Sequence, residues 1–185
     1  MNYAEVPMPQ STCIRRATEH DLPRIAAINA IVFNGNKDNH ESALEWVSCR
    51  FRSYPLYQYF VIERESAVAG YIGWEIEGGF KRPAPVLELE QLGIDPELQR
   101  QGLAGILTSQ SLQGMVRWIG EHNNRIESHI YVVVWAYALN FNAQKVYAEL
   151  FTDGVKGFRE QFGDRGEIMM RMRIPMIRHE RIEPS

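Results

Sequence analysis

One stretch, Val86 to Leu107 (VLELEQLGIDPELQRQGLAGIL), holds two features whose residue types and spacing suit chemistry. The first is Gln99-Arg100-Gln101-Gly102-Leu103-Ala104, where small residues and free backbone N–H groups stand at the start of a predicted helix. A helix N-terminus offers unpaired N–H groups and the positive end of the macrodipole, so an anionic phosphate binds there most easily. The turn therefore reads as a seat for a cofactor's pyrophosphate. It is not a nucleoside-triphosphate loop, because no Gly-Lys-Ser/Thr follows, and not a dinucleotide fingerprint, because GxGxxG is absent. Taken alone, it is also what an ordinary helix start with small packing residues looks like. The second feature is the alternation Leu87-Glu88-Leu89-Glu90 in the strand that feeds the turn. Glu88 and Glu90 lie two apart and point to one face, with about 6.6 Å of rise between them. Carboxylates so placed can take up protons; the same alternation also describes a half-exposed sheet.

The elements that must position these residues are legible from hydrophobic period and punctuation. Thr12 to Ala17 reads as a strand, and Thr18-Glu19-His20-Asp21 is a capping-box variant that opens a helix carried by Leu22, Ile25, Ala26, Ile28, Asn29 and Val32 and stopped at Asn34-Gly35-Asn36. A second helix starts near Asp38 or Asn39, uses Ala43, Leu44, Trp46, Val47 and Phe51, and ends at Ser53-Tyr54-Pro55. Strands follow around Tyr59–Ile62 and Val68–Trp74, joined as a hairpin through Glu63-Arg64-Glu65-Ser66, with loop from Phe80 to Pro85 and a third strand over Val86–Ile94. A helix from about Gly102 to His122 turns Leu103, Ile106, Leu107, Met115 and Trp118 inward. Ile130 to Tyr137 is a buried strand, Asn140 to Leu150 a shorter helix, and Lys156–Phe162 and Glu167–Ile174 two last strands joined through Gly163-Asp164-Arg165-Gly166. The economical architecture is α/β or α+β, with helices on both faces of a mixed sheet.

The 185 residues suffice for one domain with a full core, expected over 12–175 between tails at 1–11 and 176–185. A net charge of −3 gives no basic field for a nucleic-acid backbone. Cys13 and Cys49 fit no metal-ligand spacing and read as free, buried thiols of a reducing cytosol, and no metal site is expected. The N-terminus MNYAEVPMPQ has neither a basic nor an apolar leader region, and no segment is long and apolar enough for a membrane span, so a cytoplasmic protein without membrane contact is expected.

Two motifs together resemble the GNAT superfamily of acyl-CoA-dependent N-acyltransferases. The family's central motif, Gln/Arg-x-x-Gly-x-Gly/Ala after a strand and an Asp-Pro, is matched by Ile94-Asp95-Pro96-Glu97-Leu98 leading into Gln99-x-x-Gly102-x-Ala104. Its second motif, Asn-x-x-Ala-x-x-x-Tyr, is matched by Asn140, Ala143 and Tyr147. Ile14 to Asp21 also looks like the family's first strand and helix cap, so the resemblance runs from about Cys13 to Ile174. It implies a mixed, mostly antiparallel central sheet flanked by helices, and acetyl-CoA as cofactor.

By that resemblance the N–H groups from Gln99, Arg100, Gln101, Gly102, Leu103 and Ala104 wrap the coenzyme A pyrophosphate, and Arg100 adds a charge unless it is merely a solvated surface arginine. The pantetheine arm lies against Leu92, Gly93 and Ile94 like an added strand, which makes Gly93 a bulge or close-approach glycine. Asn140 caps its helix and, with Ala143, touches the cofactor. The implied reaction is direct attack of a primary amine on the thioester in a ternary complex. Glu88 is the first choice of base and Glu90 the second, with a water chain as the remaining option, because the position where other relatives carry an acid on the next strand is Trp135. Tyr147 is the general acid for the departing thiolate. No cysteine lies in either motif, so an acyl-cysteine relay is not expected.

The acceptor is a small-molecule or peptide amine. Glu75, Glu77, Glu88 and Glu90 would favour a cation if they share a cleft, and Trp46, Trp74, Phe33 and Tyr54 could wall it. The family also often pairs as homodimers. One departure stands out: relatives follow the tyrosine with x-x-x-Gly-Phe, whereas Ala148-Glu149-Leu150-Phe151 follows Tyr147 and the pair appears at Gly157-Phe158. A small insertion or a longer helix would account for it. A second class of reading is an acyl-CoA-binding regulatory module without turnover.

Overall fold

The computed structural model describes residues 12–34, 39–79, 81–160 and 166–176. The expected tails, apart from Met176, and the Gly35-Asn36 helix stop, Asp38, Phe80 and Gly163-Asp164-Arg165 lie outside them. The elements are β1 (Thr12–Arg16), α1 (Leu22–Asn34), α2 (His40–Phe51), β2 (Tyr57–Arg64), β3 (Ala67–Glu77), β4 (Val86–Ile94), α3 (Leu103–His122), β5 (His129–Tyr137), α4 (Phe141–Leu150), β6 (Val155–Glu160) and β7 (Gly166–Pro175). Their order is the one expected from the sequence. The strands run β1-β2-β3-β4-β5-β7-β6 in one sheet, and the pairs β1–β2, β2–β3, β5–β7 and β6–β7 are antiparallel.

The chain forms two compact units, one of residues up to Glu75 with Leu89–Met115, the other of Ile76–Glu88 with residues from Val116 on. In the first unit the β2–β3 register decides what each face carries. Tyr57↔Glu75, Tyr59↔Gly73 and Val61↔Tyr71 share one face, and Gln58↔Trp74, Phe60↔Ile72 and Ile62↔Gly70 the other. The first face packs on α1 and α2, where Ile25, Ala26, Ile28, Ala43 and Val47 close over Tyr57, Tyr59, Val61 and Tyr71. The second face takes α3: Trp74 Nε1 donates to Ser111 Oγ at 2.9 Å, and Gly114 brings the helix against the Phe60 ring. Thr108 and Ser111, fully buried on that helix, donate to the carbonyls of Ala104 and Thr108, so neither hydroxyl is stranded. The expected inward positions Leu103, Ile106, Leu107, Met115 and Trp118 are all buried.

In the second unit, β5 is apolar and β-branched because it is covered, with Ile130, Val132 and Val134 at or near zero exposure. Its pairing with β7 runs unbroken from His129↔Pro175 to Tyr137↔Glu167. Helix α4 ends at Leu150, where Phe151 N–H bonds Tyr147 O, and the chain turns through Gly154 (φ +69°) into β6. The displaced Gly157-Phe158 pair thus lies inside β6, beside an irregularity in its register with β7. Among the described residues no helix is long and apolar enough to cross a membrane. Cys13 and Cys49 are free but exposed, not buried as expected; Cys13 sits on the terminal strand of the sheet, and Cys49 on α2 outside its Ala43/Val47 core stripe.

The first helical turn is tied down by Asp21. Its carboxylate accepts the Thr18 N–H at 2.7 Å and the Thr18 hydroxyl at 2.9 Å, and takes both Nη atoms of Arg15 at 2.8 and 2.9 Å, while Arg15 Nε reaches Glu63 at 3.0 Å. The Arg15 hydrogen bonds outweigh burial and hold Asp21 down at about 2. Its folded pKa lies below its unfolded value of about 3.9, so the stability it contributes is full above that value and is lost as pH falls toward 2. Asp21→Asn should cost about 2 kcal/mol at pH 7 and flatten the stability curve between about pH 4 and 2, as read by urea denaturation across pH.

Candidate functional site

The phosphate-seat turn is built as a strand end, a short 3-10 turn and a helix start. Asp95 N–H pairs with Ala69 O, and the Asp95 side chain caps Pro96–Leu98 through Glu97 N–H and pairs with Arg24. Gln99 does not point its amide at a ligand; it donates to Ile94 O at 3.1 Å and ties the turn to β4. Gln101 likewise accepts from Arg64. Arg100 (φ +61°) and Gly102 (φ +78°) both adopt the left-handed conformation, and α3 begins at Leu103. Alternating left-handed residues at a helix start turn successive N–H groups inward to form an anion-binding concavity. A Cβ on Gly102 would meet nothing within 4 Å, so packing does not require the glycine; the left-handed backbone favours it, and the space above it is open.

Beside this turn in the same unit, β4 carries Glu90. Leu87 and Leu89 are buried and Glu88 and Glu90 half-buried, so the Leu-Glu alternation is realised and the glutamates share a face. Glu90 Oε2 accepts the Tyr57 hydroxyl, and Glu90 Oε1 accepts Arg50 Nη2 at 2.8 Å. Arg50 Nη1 reaches Glu75 Oε2 at 3.1 Å, and the guanidinium lies 5.3 and 5.2 Å from the centroids of the Trp46 and Tyr57 rings. Burial pushes Glu90 above the usual carboxylate range; Tyr57 and Arg50 pull it back, and Glu75 adds to the rise. Tyr57, fully buried, is held well above its ordinary value and remains a hydrogen-bond donor.

Three glycines make this packing possible. A Cβ on Gly73 would fall 2.0 Å from the Tyr57 hydroxyl, so Gly73 is the gap that the phenol occupies to reach Glu90. Gly93 is demanded by Tyr71, whose ring would lie 2.7 Å from a Cβ there, and by Ile28 at 3.2 Å. Gly70 admits Ile94 and the Gly93 carbonyl. Gln91 joins a buried triad in which Asn29 Nδ2 donates to Tyr71 Oη (2.8 Å) and Gln91 Oε1 (3.0 Å), and Tyr71 donates to Gln91 (3.0 Å). Glu90 and Gln91, neighbours in sequence, thus both engage the α1/α2 face, and the alternation of β4 breaks between them. Leu92 is half-buried, and Gly93 and Ile94 are buried.

In the second unit, Asn140 caps α4 by accepting Ala143 N–H at 3.1 Å, and Gln144 secures the preceding turn on the carbonyls of Tyr137 and Ala138 at 2.9 Å each. Tyr137, Leu139, Asn140 and Gly166 line a cavity of about 360 Å³. Tyr147 is buried, edge-on to Phe151, and burial pushes its phenol up.

The structure thus gathers Glu90 and Glu75 around Arg50 and leaves Glu77 exposed. Trp74 is no wall for an acceptor: it is fully buried and its N–H is engaged by Ser111. Arg50, Tyr57 and Gly73 are the members that sequence reasoning missed. A glycine set between the bulky Ile72 and Trp74 of β3 was the available signal for Gly73.

Residues 22–151 match the model of the Acetyltransferase (GNAT) family, well over half of the chain, and the chain belongs to that family. It is an acetyltransferase by class, as its two motifs implied. No curated protein sequence matches it. Among solved structures, a variant of SpeG spermidine N-acetyltransferase from Vibrio cholerae is 18% identical with a TM-score of 0.64, over 89% of this chain and 95% of that one. The yncA protein of Salmonella typhimurium, solved with its cofactor acetyl-CoA, is 20% identical with a TM-score of 0.61, over 87% and 92%. An aminoglycoside acetyltransferase from an uncultured soil metagenomic sample is 17% identical with a TM-score of 0.62, over 84% and 97%. At these identities the likeness is one of fold.

The two kinds of glycine should separate in stability measurements. Gly73→Ala overpacks the Tyr57 hydroxyl and should cost about 1–3 kcal/mol or more, whereas Gly102→Ala meets only left-handed strain of about 1 kcal/mol. Equal losses in urea denaturation would mean that Tyr57 is not locked into the gap.

Proposed function

We propose that this chain is an acetyl-CoA-dependent N-acetyltransferase that moves an acetyl group to a primary amine by direct attack in a ternary complex. The observation that carries the reading is the Gln99–Ala104 turn, with Arg100 and Gly102 left-handed, α3 starting behind them and open space over Gly102. These N–H groups suit a pyrophosphate, and yncA, of the same fold, holds acetyl-CoA. Bound acetyl-CoA supplies the acetyl group as a thioester. Leu92, Gly93 and Ile94 offer β4 backbone to its arm, and Asn140 and Ala143 are assigned to the cofactor by the second motif. The break of alternation at Glu90–Gln91 supports a strand N–H left outside the ladder, suited to the oxyanion.

Alkyl amines titrate near 10, so the incoming ammonium must lose a proton before it attacks. Of Glu88 and Glu90, the observations favour Glu90 as the acceptor of that proton. It is half-buried, burial raises its carboxyl above the ordinary value, and both oxygens retain a lone pair beyond those used by Tyr57 and Arg50. Tyr147 is kept protonated by burial, and by the second motif it would be the proton donor for the departing sulfur. The spermidine and aminoglycoside enzymes of the same fold make small polycationic amines the first acceptors to try.

A thiol-release assay with acetyl-CoA and a panel of spermidine, an aminoglycoside, free amino acids and a peptide N-terminus tests the reading. Acceptor-dependent release is expected; saturable acetyl-CoA binding with no release from any amine would instead make the chain a binding module. Tyr147→Phe should lower kcat about 10–100-fold with acetyl-CoA affinity unchanged, and unaltered turnover would remove its acid role. Gly102→Val should weaken acetyl-CoA about tenfold or more by filling the turn and straining its backbone; retained affinity in calorimetry would place the phosphate elsewhere.

A further inference from the structure

We propose that Tyr57 and Arg50 are positioning residues that hold the Glu90 carboxylate in one orientation, with Gly73 as the gap that lets Tyr57 through and Glu75 as the anchor of Arg50. The proposal rests on the reading of Glu90 as the proton acceptor. Its basis is geometric. The two carboxylate oxygens are each taken by a different element: Oε2 by Tyr57 of β2, Oε1 by Arg50 of α2. A carboxylate held at both oxygens cannot rotate about its last bond, so its free lone pairs keep a fixed direction.

Each holder is itself fixed. The Tyr57 ring is buried, and its hydroxyl occupies the space that any side chain on Gly73 would fill. The Tyr59↔Gly73 pairing places that gap, and Glu75, two residues on, is paired with Tyr57 itself. Arg50 is gripped from two sides, by Glu75 and Glu90 along its fork and by the Trp46 and Tyr57 rings across its plane. A lysine could neither fork between two carboxylates nor stack in this way.

The titratable and charged groups facing Glu90 are Tyr57 and Tyr59 from β2, Tyr71 and Glu75 from β3 and Arg50 from α2, with Glu88 on its own strand. The three phenols are all pushed above their ordinary values by burial and stay neutral through the working range. Tyr57 and Arg50 stabilise the ionised carboxylate; Glu75 opposes it. Removing either holder must therefore raise the pH at which Glu90 ionises.

The test follows the Glu90 carboxyl directly, by its carbon-13 shift across pH, assigned through Glu90→Gln, in wild type, Tyr57→Phe, Arg50→Met and Arg50→Lys. Tyr57→Phe keeps the buried ring, and thermal melts confirm that each variant is folded. The midpoint should rise by about one pH unit in Tyr57→Phe and in Arg50→Met, with Arg50→Lys in between. With the best acceptor of the panel, the acid limb of kcat/KM should move by the same amount, kcat should fall, and acetyl-CoA affinity should hold. Midpoints equal to wild type in both Tyr57→Phe and Arg50→Met would overturn the proposal and leave the base assignment untouched. Midpoints that move while the rate limb stays in place would instead remove Glu90 as the base, and the role of its holders with it.

Discussion

The β2–β3 register is the constraint on which the rest of the first unit depends. Side chains alternate across a strand, so a slip of one residue would send Tyr57, Tyr59 and Val61 to the α3 face and Phe60 to α1 and α2. The same slip would carry Gly73 away from Tyr57 and leave a phenol with nowhere to put its hydroxyl. Packing and polar chemistry are therefore decided by one pairing. The apolar residues that hold the register are also those that aim Tyr57 at Glu90.

Two carboxylates in this unit show why burial alone does not define a reactive group. Asp21 and Glu90 are each paired with an arginine and bonded by a hydroxyl, yet Asp21 is held low and Glu90 is raised. At Asp21 a two-pronged arginine contact and the Thr18 donors outweigh desolvation, so the group is a permanent anion that fastens a helix start. At Glu90 desolvation dominates, Arg50 is shared with Glu75, and the second carboxylate repels the charge. One arrangement favours the ionised carboxylate and the other makes ionisation harder than in water. Both arginines are shared with a second acid, Arg15 with Glu63 and Arg50 with Glu75, so the difference lies in the heavier desolvation at Glu90 and the stronger set of donors at Asp21.

Much of this was legible beforehand because it is local. The order of strands and helices, the Thr18–Asp21 cap, the helix start at Leu103 and the Asn140 cap each follow from period and punctuation within a few residues. The relation of the two motifs was legible because each has fixed spacing. What escaped is what depends on pairing between distant segments. Trp74 looked like a pocket wall because nothing in its neighbourhood announces Ser111 on α3. Gly93 reads from the sequence as a bulge or close-approach glycine, but nothing near it in the chain announces that Tyr71 and Ile28 are what approach it. Arg50 carries no motif; its place beside Glu75 and Glu90 arises only when α2 lies over β3 and β4.

The break in β4 brings these threads together. A regular strand would point Glu90 and Gln91 to opposite faces, and Gln91 would meet the α3 side. Instead Gln91 is captured by Asn29 and Tyr71, all three sharing hydrogen bonds that leave no member stranded. A buried polar triad contributes less to stability than an apolar one of the same volume, so packing alone does not account for it. Its effect is to pin the irregularity from the α1 side while Arg50 pins Glu90 from the α2 side. Two helices that share no motif with the Val86–Leu107 stretch thereby hold adjacent residues of one strand. The stiffness of β4 at Glu90 comes from both, and neither hold would survive the loss of the register that presents Tyr57 and Tyr71 on the same face.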